Sequence, residues 1–262
     1  MPERTKHNIS PLGNMGNNPP LGVRGKAMIF AAGLGTRLKP WTDHHPKALA
    51  MVNGKSLLQR NVEYLQQHGI MEVIINVHHF ANQIIDAVNA NKGWGSHITI
   101  SDETSEVLET GGGLKKAASY FVNENNFIVL NVDILTDLNL SAMIAEHEQT
   151  KALATLAVTE RETSRYFLFN QQQELCGWEN VKTGEEKIVR QQASLFPKAF
   201  SGVHVINAKL FSLMKQTGKF SMVDVYLSLA ADNVIKCFNH TGSKLLDVGK
   251  PESIAKAEIM FT

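Results

Sequence analysis

The stretch Lys26–Leu49, KAMIFAAGLGTRLKPWTDHHPKAL, decides how the rest of the chain is read. It opens as an apolar run of strand length and breaks at Gly33. Gly33-Leu34-Gly35-Thr36-Arg37 follows that strand directly, so backbone amides there can converge on an anion that other side chains would block. Arg37 and Lys47 lie close by, and Pro40 and Pro46 prevent a continuous helix between them. A guanidinium and an ammonium beside an amide nest suit a polyphosphate. Taken alone, a G-x-G reads first as an ordinary strand-to-helix turn, and Lys39 reads as a solvated surface cation.

Two other anion loops are excluded by inspection. The dinucleotide fingerprint G-x-G-x-x-G needs a third glycine where Leu38 stands, and the acidic residue expected about 20 positions on is missing from MVNGKS. The Walker motif G-x-x-x-x-G-K-[ST] is absent.

Beyond the opening stretch, short β-rich runs alternate with amphipathic segments of helical length, the pattern of βα units around a mostly parallel sheet. Ser56–Gly69 places Leu57, Leu58, Val62 and Leu65 on one helical face before a glycine suited to a C-cap. EVIINV (Glu72–Val77), HITIS and FIVLNVD (Phe127–Asp133) read as strands, with a helix through Ile84, Ile85 and Val88 and another through LKKAASYF after Gly111–Gly113. The second half changes character. ALATLAVT, RYFLFN, EEKIVR and FSGVHVI are strand-like with short turns, which predicts a mixed or antiparallel extension of the sheet. Trp178-Glu179-Asn180 reads as a turn. Helices near AKLFSLMK and SMVDVYLSLAAD follow, then VIKCF, SKLLDVG and a terminal helix from Pro251.

The expected organisation is one α/β domain over residues 26–262. It is a Rossmann-like, mostly parallel sheet flanked by helices, preceded by a disordered tail over residues 1–25 that lacks the apolar core of a signal peptide. The 262 residues are 43% hydrophobic and 19% charged with a net charge of +1, so no global field recruits nucleic acid or an anionic membrane. No run of about 18 apolar residues occurs. Two cysteines, Cys176 and Cys237, give neither a disulfide framework nor C-x-x-C spacing, which fits a reducing cytoplasm.

Asp133 closes FIVLNVD and Asp247 closes SKLLDVG, and a carboxylate at the carboxyl end of a sheet strand stands where open α/β folds bind ligands. Two aspartates suffice for Mg²⁺, which keeps waters and bridges phosphates; each alone could be a helix cap or turn residue. LETGGG (Leu108–Gly113) carries more glycine than a turn needs, and close approach of backbone to a flat base would explain it. His78-His79 has no partner motif for a metal, and no covalent nucleophile is declared.

Together these residues resemble the sugar-1-phosphate nucleotidyltransferases, from Lys26 to the C-terminus. AAGLGTRLKPWTDHHPKAL looks like the signature that holds a triphosphate. The resemblance implies NTP and sugar 1-phosphate substrates and the nucleotide-diphospho-sugar transferase fold. Ala32, Gly33, Gly35 and Thr36 would face the nucleotide, with Arg37 and Lys47 as catalytic cations. It makes Asp133 and Asp247 the Mg²⁺ ligands and Asn131 a sugar contact. LETGGG is similar to the base-bordering segment of the N-acetylmuramate-1-phosphate uridylyltransferases, implying Glu109, Gly111 and Gly112 at the nucleotide and a cytoplasmic role in cell-wall recycling. FSGVHV is similar to the strand facing the sugar, which points to Ser201 and Gly202; SRYFLF adds Tyr166. Val132 stands where a glycine is frequent, the E-K-P segment is not apparent, and no β-helix follows. The implied reaction is nucleotidyl transfer with UTP and N-acetylmuramate 1-phosphate, or GTP with mannose or heptose 1-phosphate. A catalytically silent sensor would have lost Arg37 or a metal aspartate, and this chain keeps them.

Overall fold

The computed structural model describes residues 25–262. The expected tail therefore lies outside the described residues apart from Gly25.

The first half is the alternation read from the sequence. It comprises β1 (Lys26–Phe30), a hairpin of β2 (Met51–Val52) and β3 (Lys55–Ser56), α1 (Leu57–Gln67), β4 (Glu72–Val77), α2 (Ala81–Ala90) and β5 (His97–Asp102). Then come α3 (Glu109–Lys116), β6 (Asn126–Asn131), β7 (Ile134–Thr136) and α4 (Leu140–Thr150). Ser56 starts α1 as an N-cap, its side chain accepting from Gln59 N at 3.0 Å, and Gly69 at φ 79° follows its end.

Strands β5, β4, β1 and β6 lie side by side and parallel. Along β1, Ala27 and Ile29 join one core with α1 and α2, while Met28 and Phe30 join the other with α3. The sheet is thus covered on both faces, which is why its strands read as continuous apolar runs rather than alternating ones. Each such fully buried aliphatic side chain contributes about 1.5–3 kcal/mol relative to exposure. From β1 the chain steps outward to β4 and β5, then returns to β6 on the other side of β1. That reversal opens a crevice at the carboxyl ends of β1 and β6.

The second half supplies β8 (Ala154–Thr159), β9 (Arg165–Phe169), β10 (Leu175–Asn180), β11 (Glu185–Ile188) and β12 (Phe196–Asn207). After them come α5 (Leu210–Leu213), α6 (Met222–Leu229), β13 (Ile235–Asn239), β14 (Leu245–Asp247) and α7 (Pro251–Met260). β12 is antiparallel to β6 through Val203–Asn207, and its first residues pair with β9, leading into β10 and β11. The mixed extension is present as expected.

Two expectations change, and one strand is new. Trp178-Glu179-Asn180 is not a turn but the end of β10, paired with both β9 and β11. Gly111–Gly113 do not precede a helix; they lie inside α3. β7, hidden in the short run after Asp133, pairs with β14. Among the described residues no helix is long and apolar enough to cross a membrane, and Cys176 and Cys237 are free and buried.

Candidate active site

Leaving β1, the Ala31 N–H donates to Asn76 Oδ1 at 2.7 Å. Gly35 then takes φ 62°, in the left-handed region that glycine enters without a Cβ clash. A Cβ there would lie 2.9 Å from both Lys47 Cβ and Thr42 Cγ2, so the second glycine is also the seat for the Lys47 stem. The Gly35 carbonyl accepts from Leu38 N at 2.8 Å and Thr42 Oγ1 at 3.0 Å. The amides of Gly33, Leu34 and Gly35 donate to no protein acceptor among the described residues, which leaves them open to an anion. His44 and His45 anchor the rest of this loop to α2: Gln83 Nε2 donates to the His44 carbonyl at 2.8 Å, and His45 Nδ1 lies 3.1 Å from Gln83 Oε1.

Arg37 leaves the same turn and reaches two carboxylates, Asp247 Oδ2 at 3.5 Å and Asp133 Oδ2 at 3.9 Å. Lys47 Nζ donates to Asp133 Oδ2. The Lys47 and Asp133 side chains are only 13% and 16% exposed, whereas those of Arg37 and Asp247 are 55% and 45% exposed. A shielded ion pair therefore stands behind a solvated one.

Remote parts of the chain meet here through the backbone. Immediately after Asp133 the chain enters β7, where Ile134 pairs with Asp247 of β14, and the Val248 N–H donates to the Asp133 carbonyl at 2.8 Å. Gly249 clears space for the guanidinium: a Cβ there would lie 2.7 Å from Arg37 Nη2. Two carboxylates thus converge on one positive group. Among the described residues no cluster of three or more His, Cys, Asp or Glu side chains could hold a metal. A pair of carboxylates that leaves the remaining positions to water and phosphate is a donor set that fits Mg²⁺.

Beside these residues lies a cavity of about 460 Å³, lined by Ala32, Gly33, Gly35 and Thr36 of the loop, by Asn76, His78 and Glu103, and by Glu109 and Lys219. Glu103 is 1% exposed. Asn76 Nδ2 donates to its Oε1 at 2.8 Å, and His78 Nδ1–H donates to its backbone carbonyl at 2.7 Å. Burial raises the Glu103 carboxyl above its usual value, against the amide of Asn76 and the nearby Lys116 and His78. No hydrogen bond to Oε2 is present among the described residues, and Glu103 is part of the cavity wall. A larger cavity of about 530 Å³, between α1 and β7, holds none of Arg37, Lys47, Asp133 or Asp247.

Gly111 and Gly112, expected at the base, are packed against the protein. Neither lines the 460 Å³ cavity, and both amides donate to the Phe220 carbonyl, at 2.9 and 3.2 Å. A Cβ on Gly111 would lie 2.5 Å from the Phe220 ring, on Gly112 2.4 Å from the Gly218 carbonyl oxygen, and on Gly113 2.6 Å from Glu103 Oε1. The close approach is real, but its partner is the protein itself.

The expected sugar contacts divide. Asn131 ends β6 half-buried, and Gly202, at φ 75°, packs against it: a Cβ there would lie 2.9 Å from Asn131 Nδ2. Ser201 is wholly buried, its Oγ 2.8 Å from His240 Nε2. Tyr166 is half-buried, accepts from Thr163 N at 2.9 Å, and does not line the 460 Å³ cavity. Asn76, Glu103 and Lys219, which line the cavity, were not singled out in the sequence. Asn76 had a readable signal, a lone amide inside the apolar run EVIINV; Lys219 had none.

The profile of the nucleotidyl transferase family matches residues 26–261. An N-acetylmuramate alpha-1-phosphate uridylyltransferase of Caulobacter vibrioides is 30% identical over 240 residues, covering 88% of this chain and 95% of the relative. A D-glycero-alpha-D-manno-heptose 1-phosphate guanylyltransferase of Aneurinibacillus thermoaerophilus is 28% identical over 236 residues, covering 89% and 96%. HddC from Yersinia pseudotuberculosis, solved in complex with GMP-PN, superposes with a TM-score of 0.74 at 25% identity, covering 91% of this chain and 100% of that one.

Proposed function

The chain belongs to the nucleotidyl transferase family as a sugar-1-phosphate nucleotidyltransferase, and from that premise we propose that it joins UTP to N-acetylmuramate 1-phosphate and releases pyrophosphate. The observation that carries the activity is the convergence of Arg37, Lys47, Asp133 and Asp247 from three remote parts of the chain.

A phosphate oxygen of the sugar 1-phosphate attacks the α-phosphorus in line, and the bond to the pyrophosphate oxygen breaks. The nucleophile is already an anion at neutral pH, so no general base is required, which agrees with the missing triad. The barrier lies in bringing two polyanions together and stabilising charge at the α-phosphoryl, a task for positioning and electrostatics. The amides of Gly33 to Gly35 hold phosphate oxygens. Arg37, solvated and turned toward the aspartates, meets the departing pyrophosphate, and Lys47 meets the reacting phosphates. Mg²⁺ held by Asp133 and Asp247, when bound, supplies charge neutralisation at those phosphates.

The choice of base rests on Glu103. Its Oε2 is an acceptor, which suits uracil N3–H or guanine N1–H and disfavours adenine and cytosine, whose corresponding ring nitrogens are acceptors themselves. Oε1 already accepts from Asn76; with two lone pairs on each carboxylate oxygen, Glu103 separates a keto base from an amino base but does not by itself separate uracil from guanine, of which uracil is proposed. The uridylyltransferase relative, similar along nearly its whole length, supports the same choice and, with it, a place in the reuse of cell-wall sugars. GTP with heptose or mannose 1-phosphate is the second reading, supported by the guanylyltransferase relative. Initial rates with UTP and GTP at matched concentrations decide between them: a faster guanylyl transfer would reject the uridylyl reading.

A further inference from the structure

Lys219 enters the cavity from the far half of the chain, and the triple glycine of α3 puts it there. The segment around it is stapled to Leu108–Gly112. Phe220 N donates to Leu108 O at 3.2 Å, the amides of Gly111 and Gly112 donate to Phe220 O, and Met222 N donates to Thr110 Oγ1 at 2.9 Å. No side chain larger than hydrogen would allow that approach at Gly111 or Gly112. The backbone carrying Lys219 is therefore fixed, while its tip is not: Nζ stands 3.5 Å from Glu109 Oε1, and the two side chains are 57% and 46% exposed. An exposed pair of this kind is weak and easily released. Glu109 itself sits at φ 57°, a left-handed conformation unusual for glutamate, on the same cavity wall.

Among the described residues, Lys219 is the only lysine or arginine lining the cavity whose deep acceptor is Glu103. A nucleobase edge that offers N–H to a carboxylate offers a carbonyl beside it in uracil and guanine; cytosine and adenine place an amino group there. We propose that Lys219 is a nucleotide-selecting residue, donating to that carbonyl while Glu103 accepts the neighbouring N–H, with Glu109 holding the lysine until the base arrives. This rests on the nucleotidyltransferase reading of the same site.

The test is calorimetric titration of wild-type protein, Lys219→Met, Lys219→Arg and Glu109→Gln with UTP, CTP, GTP and ATP, without sugar phosphate. Loss of a charged hydrogen bond predicts that Lys219→Met weakens the keto nucleotide by about tenfold or more, leaving its amino counterpart nearly unchanged. Lys219→Arg recovers part of the loss, and Glu109→Gln tightens binding, an effect that mere structural damage would not produce. Equal weakening of UTP and CTP, and of GTP and ATP, would place Lys219 on the phosphates and overturn the proposal, as would unchanged affinity. Wild-type protein that binds UTP but releases no pyrophosphate with any sugar 1-phosphate would overturn the activity alone; binding of none of the four would overturn both.

Discussion

The Val248 N–H donates to the Asp133 carbonyl at 2.8 Å, and together with the β7–β14 pairing this bond ties the last strand of the chain to the segment that follows β6. It brings Asp247 beside Asp133. Replacing either aspartate by asparagine keeps that backbone bond and removes one negative charge from the carboxylate pair. For Asp133→Asn and Asp247→Asn we expect Mg²⁺-dependent turnover to fall by about a hundredfold or more with the circular dichroism spectrum unchanged. Activity equal to wild type at matched Mg²⁺ would remove the altered residue from the site.

Arg37 stands within 3.5 Å of Asp247 and 3.9 Å of Asp133 without being buried. Its replacement by alanine should leave stability within about 0.5 kcal/mol of wild type, as for other exposed positions. Turnover at saturating substrates should drop by roughly a hundredfold or more, by analogy with removal of one oxyanion donor. Near-normal kcat for Arg37→Ala would show that the guanidinium does not meet the transition state.

Gly112 and Gly33 make a controlled pair. A Cβ on Gly112 would sit 2.4 Å from the Gly218 carbonyl oxygen, whereas one on Gly33 meets nothing within 4 Å. Gly112→Ala must push the 218–221 segment away, costing about 1–3 kcal/mol and several degrees of Tm. The KM for the nucleotide should rise with it, because Lys219 rides on that segment. Gly33→Ala should leave Tm where it is. Equal Tm values for the two variants would contradict the packing described.

His204 is enclosed in the core with its Nδ1 2.7 Å from the Tyr226 hydroxyl, and burial pulls its pKa down to about 3. A histidine so depressed stays neutral in the fold but takes up a proton in the unfolded chain below about pH 6.5. Its contribution is present above that pH and is lost as the pH falls toward 3. Unfolding free energy should therefore decline by up to about 1.4 kcal/mol per pH unit for each such group between pH 6 and 4. His147, depressed to about 4, acts in the same direction. In urea unfolding, His204→Phe should show a shallower decline over that interval; an unchanged slope would mean the imidazole is not buried neutral.

The parallel half of the fold was legible because runs such as EVIINV and FIVLNV are buried on both faces, and their apolar continuity survives in one dimension. The loop and its cations were legible for a related reason: Gly35, Arg37 and Lys47 lie within a short segment whose steric needs are local. What escaped depends on contacts between distant parts. β7 is three residues long and exists because β14 pairs with it. Gly111 and Gly112 of α3 serve a segment more than a hundred residues away. Ser201 faces the core beside a break in register between Phe200 and His204, where β12 shifts against β8. Such an irregularity moves side chains to the opposite face, and nothing in FSGVHV announces it.

In the reaction we propose, the Arg37, Lys47, Asp133 and Asp247 cluster transfers a nucleotidyl group to a sugar 1-phosphate. Its most direct test is pyrophosphate release by the wild-type protein with Mg²⁺ across a panel of nucleoside triphosphates and sugar 1-phosphates. Release is expected with UTP and N-acetylmuramate 1-phosphate above every other pair, abolished by Asp133→Asn. No release from any pair would contradict it.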